Sequence, residues 1–153
     1  MIKRKKIWMV LITISALLLQ CLPVFAASET TVQREYLDDG SGNYYETVIT
    51  KTNSRTTQNY YATKTFKNSS GTALWYVKVS GTFSYNGSTC TCTSASSSAG
   101  SYNANWKIID HSASRSGNTA TAYATAKRYV MGVPVETENT SITLHCDANG
   151  NPY

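Results

Sequence analysis

Histidine is scarce in this chain: His111 and His145 are the only two among 153 residues. A hydrolytic triad sets an imidazole between a nucleophile and an orienting acid, so such chemistry has two places to be. Asp110-His111-Ser112 has suitable residue types in a row, but on a strand Asp110 and Ser112 face away from His111, and Cys146 beside His145 fails for the same reason. There is no Gly-rich phosphate loop, paired-carboxylate spacing or Walker-type motif. Beyond residue 26 the helix formers Leu, Met and Glu are few, and no stripe of Lys and Arg runs along the chain to meet nucleic acid or an anionic membrane. The expectation is a protein that is not an enzyme, carries no cofactor or metal and binds no nucleic acid.

What is present begins with a leader. Lys3-Arg4-Lys5-Lys6 precedes an apolar run from Ile7 to Leu19, and small residues stand at Val24 and Ala26 before a polar stretch. A basic segment, an apolar run too short to remain as an anchor and a small-residue cleavage site make a helical export signal over residues 1–26, cut after Ala26. Lipid attachment at Cys21 is the competing reading, and Gln20 stands where that processing needs a small residue. The expected location is secreted and extracellular, without a stable membrane anchor after cleavage. Four of the 14 Lys and Arg lie in the leader, so ten remain against nine acids and the basic character leaves with it.

Residues 27–153 suffice for one domain with a core, and Thr, Ser, Tyr, Val and Asn dominate them. From Trp75 to Tyr85 the odd positions Trp75, Val77, Val79, Gly81, Phe83 and Tyr85 share one face, and Tyr76, Lys78, Ser80, Thr82 and Ser84 the other, the period of a half-buried strand. Asn86-Gly87 suits a two-residue type I′ turn, which would set Phe83 opposite Cys90 and Gly81 opposite Cys92. Thr31 to Leu37 and Tyr44 to Lys51 flank the turn-rich segment Asp38 to Asn43; Thr57 to Lys67, Asn105 to Ser114 and a last strand that follows a turn at Met131-Gly132 and ends near Cys146 complete the pattern. Thr119 to Val130 alternates Ala120, Ala122, Ala124 and Ala126 with Thr121, Tyr123, Thr125 and Lys127, and so small a face suits close approach of a second sheet. Serine-rich Thr93 to Asn103 reads as a flexible loop or frayed strand end. The fold class is all-β: a two-sheet antiparallel β-sandwich, immunoglobulin-like in architecture, with a closed barrel as the alternative.

The runs Tyr76 to Ser88, Asn105 to Ile108, Ala126-Lys127-Arg128-Tyr129 and Leu144 to Gly150 resemble a group of small secreted proteins of Gram-positive gut bacteria. The resemblance covers most of the chain beyond the leader. It implies a secreted bacterial β-domain and nothing catalytic.

Cys90, Cys92 and Cys146 are an odd number of thiols for an oxidising compartment. Gly81 opposite Cys92 would leave room for a bridge while Phe83 crowds Cys90, so the expected disulfide joins Cys92 to Cys146; the resemblance favours the same pair. Cys90 is then free, swapped into the bond or paired between molecules. Zinc held by these cysteines and His145 is not expected, because neighbours on a strand point apart. The oxygen-rich segment Asp38 to Asn43 lacks the EF-hand spacing and reads as a polar hairpin turn.

Eleven tyrosines and three tryptophans exceed what a core this size needs. The doublets Tyr44-Tyr45 and Tyr60-Tyr61 place one ring on each face of a strand, so one ring of each pair is expected to be exposed and to contact a ligand. The expected partner is a glycan, the cell wall or another protein, in a binding or surface-interaction module. A secreted antagonistic, membrane-active factor is the alternative.

Overall fold

The computed structural model describes residues 30–52 and 58–153. The leader, its cleavage after Ala26 and Cys21 lie outside the described residues. Eight strands run through those residues: β1 (Thr30–Tyr36), β2 (Tyr44–Thr52), β3 (Gln58–Lys67), β4 (Ala73–Tyr85), β5 (Cys90–Ser101), β6 (Trp106–Ser116), β7 (Thr119–Val130) and β8 (Val133–His145). They form two antiparallel sheets, β1-β2-β3-β4-β5 and β6-β7-β8, packed as a sandwich. The two layers match the expected architecture. The connections differ from the immunoglobulin order, since within each sheet every strand pairs with its neighbour in sequence and only the β5–β6 connection passes from one sheet to the other.

β4 carries the core as its alternation requires: Trp75, Val77, Val79 and Phe83 are fully buried. Opposite them β7 presents Ala120, Ala122, Ala124 and Ala126, all buried, and β8 adds Ile142 and Leu144. Methyl groups let the sheets approach. At one end the gap is filled by Tyr45, Phe66, Trp75 and Trp106, with Phe66 edge-on to Trp106 at 5.4 Å between ring centroids. At the other end Tyr60, Phe83, Cys92, Leu144 and Cys146 close the core.

Two local features, the hairpin after Tyr85 and the serine-rich segment, depart from the sequence expectation. The hairpin after Tyr85 is four residues long, with Tyr85 opposite Cys90, because the Asn86 carboxamide oxygen accepts from Ser88 N, Thr89 N and Thr89 Oγ1 and builds a side-chain turn. The turn expected at Met131-Gly132 is present, and it is there that two successive positive-φ residues, the type I′ requirement, occur: Met131 (51°) and Gly132 (81°), between Val130 and its partner Val133. The serine-rich segment is not a loop: β5 pairs with β4 from Cys90 to Ser101, apart from a bulge that leaves Thr93 unpaired. Its inward residues Ala95, Ser97 and Ala99 are small, and here β5 meets β6 at the seam between the sheets. Cys92 N donates to Gly117 O (2.7 Å), Arg115 Nη1 donates to Cys92 O (3.0 Å), and Ser97 Oγ bonds His111 Nδ1 (2.9 Å).

Candidate functional site

The tyrosine doublets are not the exposed platform expected of them. Tyr44 and Tyr45 are both buried, which corrects the expectation that one ring of that pair is free, and of the second pair Tyr60 is buried and Tyr61 only partly exposed. Tyr45 and Tyr60 point into the core as alternation demands. Tyr45 lies 5.1 Å from the Phe66 ring, and its hydroxyl donates to Glu138 Oε2 (3.4 Å), while the Tyr60 hydroxyl donates to the Gly150 carbonyl. Burial raises the pKa of both hydroxyls, so they stay protonated donors. Tyr44 is on the outer face, yet cross-strand neighbours cover it: the Tyr36 ring at 5.2 Å, the Arg34 guanidinium at 5.5 Å and Lys67 Nζ at 5.9 Å. Tyr61 is half-buried, with Lys78 Nζ 4.0 Å from its ring centre.

The expected Cys92–Cys146 bond is not formed in this structure, where Cys90, Cys92 and Cys146 are all free. The bulge at Thr93 sets Phe83, not Gly81, opposite Cys92, and the space beside Gly81 is taken by the Phe83 ring and Ala120. The Cys92 thiol turns to Ser94 O (3.2 Å). Asp110 and Ser112 lie in register with Thr125 and Tyr123 on the outer face, and His111 with Ala124 on the inner one, so the three do not converge. His145 Nδ1 bonds Thr119 Oγ1 (2.9 Å), and its ring stacks on Tyr153. The segment Asp38 to Asn43 is a hairpin turn in which Asp39 Oδ1 accepts from Ser41 N (2.9 Å), and the Ser41 side chain first, then this backbone bond, lower the Asp39 pKa. No cluster of three or more metal-ligating side chains occurs among the described residues.

An exposed aromatic with polar company stands elsewhere, on the outer face of the three-stranded sheet. Because the Ala residues of β7 face inward, Thr121, Tyr123, Thr125 and Lys127 must face out. Tyr123 is the only ring among these four and is half exposed (50%). Register places Ser112, Tyr123 and Ser141 in one row across β6, β7 and β8, and Asp110, Thr125 and Asn139 in the next. Strands lie about 5 Å apart and same-face rows about 7 Å apart, so ring, carboxylate and carboxamide fall within the span of one or two sugar rings. A shallow groove of about 380 Å³ runs over these residues. Thr125 Oγ1 donates to Asn139 Oδ1 (2.8 Å) and orients the amide. The sequence held the signal in the alternation from Thr119 to Val130, where Tyr123 interrupts a threonine face.

A second cleft, of about 300 Å³, opens at the aromatic end, where Asn43, Asn68, Asn103 and Asn105 surround the edges of Phe66 and Trp106. Asn68 Oδ1 is engaged by Thr72 N and Ser70 Oγ, and Asn103 Oδ1 by Asn105 N, so these amides hold their own turns. The Tyr123 groove is the better platform. No protein-family model, no curated protein and no solved structure matches this chain.

Proposed function

We propose that this chain is a binding module that seats a carbohydrate on the outer face of β6, β7 and β8. The observation that carries the proposal is the half-exposed Tyr123 ring set among Asp110, Thr125, Asn139 and Ser141. The apolar C–H face of a pyranose stacks on such a ring, and its hydroxyls need acceptors and donors at the rim, which the carboxylate, the amide and the hydroxyls supply. With residues 1–26 acting as an export leader, the ligand is a polysaccharide outside the cell, in the wall or on a surface the protein meets. The test is retention on insoluble polysaccharides and on peptidoglycan, comparing the chain with its Tyr123→Ala and Asn139→Ala variants. Loss of one stacked ring weakens binding about tenfold. A chain that none of these polymers retains, or a Tyr123→Ala variant retained as well as the original, overturns the proposal.

A second reading rests on the β7–β8 hairpin tip. Met131 is fully exposed (100%), and Val130, Val133 and Val135 beside it are 43%, 60% and 53% exposed. An apolar tip with Lys127 and Arg128 behind it suits shallow insertion into a lipid surface, which is how a membrane-active factor would begin. Vesicle flotation separates the two readings: Met131→Asp abolishes lipid binding under this second reading and leaves polysaccharide retention intact under the first.

A further inference from the structure

Three thiols gather where the two sheets close at the β4–β5 hairpin end. Cys90 and Cys92 share the inner face of β5, and Cys146 follows directly after β8, fully buried. The chain after β8 does not leave the sandwich. Cys146 N donates to Asn118 O (3.1 Å) in the β6–β7 turn, Cys146 pairs with Pro152, and Gly87 N donates to Ala148 O (3.0 Å). Gly150 lies under the ring of Tyr85, the cross-strand partner of Cys90. The C-terminal segment is thereby folded across the hairpin, and the Cys146 thiol, which donates to Asp147 O (3.4 Å), comes to rest as a neighbour of Cys90. Cys92, one pleat further along, faces its own strand through Ser94 O.

We propose that Cys90 and Cys146 close into a disulfide that staples the five-stranded sheet to the end of the three-stranded one, leaving Cys92 as the single thiol. The co-reactant is a low-molecular-weight disulfide. Cys90 is half-buried and within reach, so its thiolate attacks one sulfur of the reagent, breaks the S–S bond and releases one half as a thiol. The Cys146 thiolate then attacks the Cys90 sulfur of the mixed disulfide, the protein S–S bond forms and the second half leaves. Two protons and two electrons pass from the pair to the reagent, which ends as two thiols. Burial and the neighbouring Cys90 push the Cys146 thiol up to about 12, so closure accelerates as pH rises.

The full chain carrying Cys21→Ser is incubated with oxidised glutathione, and its free thiols are counted after unfolding. Three thiols fall to one, and digestion without reductant yields a peptide joining the Cys90 region to Cys146. Only Thr91 separates Cys90 from Cys92, so fragmentation of the linked peptide between them identifies the bonded sulfur in the unsubstituted site. Cys92→Ala still closes, whereas Cys90→Ala does not. Three thiols persisting in the folded chain, a glutathione held at Cys90 without closure, or a bond mapped to Cys92 each overturns the proposal.

Discussion

The Phe83 ring lies over Gly81, two residues back on the same strand. A Cβ at position 81 would stand 2.5 Å from Phe83 Cε2 and 3.0 Å from the Ala120 Cβ of the facing sheet. Gly81 is therefore the point where ring and opposing sheet both reach the backbone of β4. Gly81→Ala is expected to destabilise by about 1–3 kcal/mol through overpacking, read from the midpoint of denaturant unfolding. Adding Phe83→Leu should recover part of that loss, because the two substitutions compete for one space.

Tyr60 separates packing from hydrogen bonding at the other end of the core. Tyr60→Phe removes the donor to the Gly150 carbonyl and leaves a buried acceptor unpaired, for an expected cost of about 1–3 kcal/mol. Tyr60→Ala adds a cavity, and the total rises to about 3–5 kcal/mol. Equilibrium unfolding of both variants measures the difference. Tyr123→Ala, on the surface, should stay within about 0.5 kcal/mol of the original.

Asp147 organises the C-terminal turn. Its Oδ1 accepts from Asn149 N (2.9 Å) and Asn151 N (2.8 Å), and its Oδ2 accepts from Asn151 Nδ2 (3.0 Å). These bonds favour the carboxylate and hold its pKa below the usual Asp range. A lowered folded-state pKa contributes stability that is present above the unfolded-state value and is lost as pH falls through the folded-state value. The melting temperature of the chain should therefore exceed that of Asp147→Asn at pH 7, and the gap should shrink on acidification below the ordinary Asp range. A gap that is constant with pH refutes the assignment.

Trp75 is fully buried, and its indole nitrogen has no hydrogen-bond partner among the described residues. An unmatched buried donor costs free energy, so Trp75→Phe loses ring area but also sheds that penalty. The expected destabilisation is about 1–2 kcal/mol, well below the 3–5 kcal/mol of an ordinary Trp truncation to Ala. Unfolding of Trp75→Phe beside Trp75→Ala checks it.

The strands and their inward faces were legible because period-two alternation is a local signal: Trp75 to Phe83 and the Ala face of β7 could be read directly. Features depending on long-range neighbours were not. Tyr44 faces outward as its position dictates, but its burial is created by Arg34 and Tyr36 on one side and Lys67 on the other, joined only by register. Asn86-Gly87 carries the turn composition, yet the Asn86 side chain captured three donors and lengthened the loop, and the bulge at Thr93 then moved Cys92 away from Gly81. The serine run of β5 has little strand propensity of its own; pairing along β4 and its small inward residues at the β6 seam account for its place. Tyr123 was visible in the alternation, but choosing it over the doublets needed the burial of Tyr44, Tyr45 and Tyr60.

Neighbour-to-neighbour connectivity has a consequence for how quickly the chain finds this structure. Each sheet can zip up as successive hairpins, every one closing a short loop, so ladder formation carries little entropic delay. Docking one sheet on the other is different, because contacts such as Tyr60 with Gly150 join residues 90 apart. Refolding of substituted chains should divide along that line: changes at the inter-sheet contacts alter the unfolding rate and leave the folding rate nearly unchanged, while changes within the β3–β4 hairpin slow folding itself.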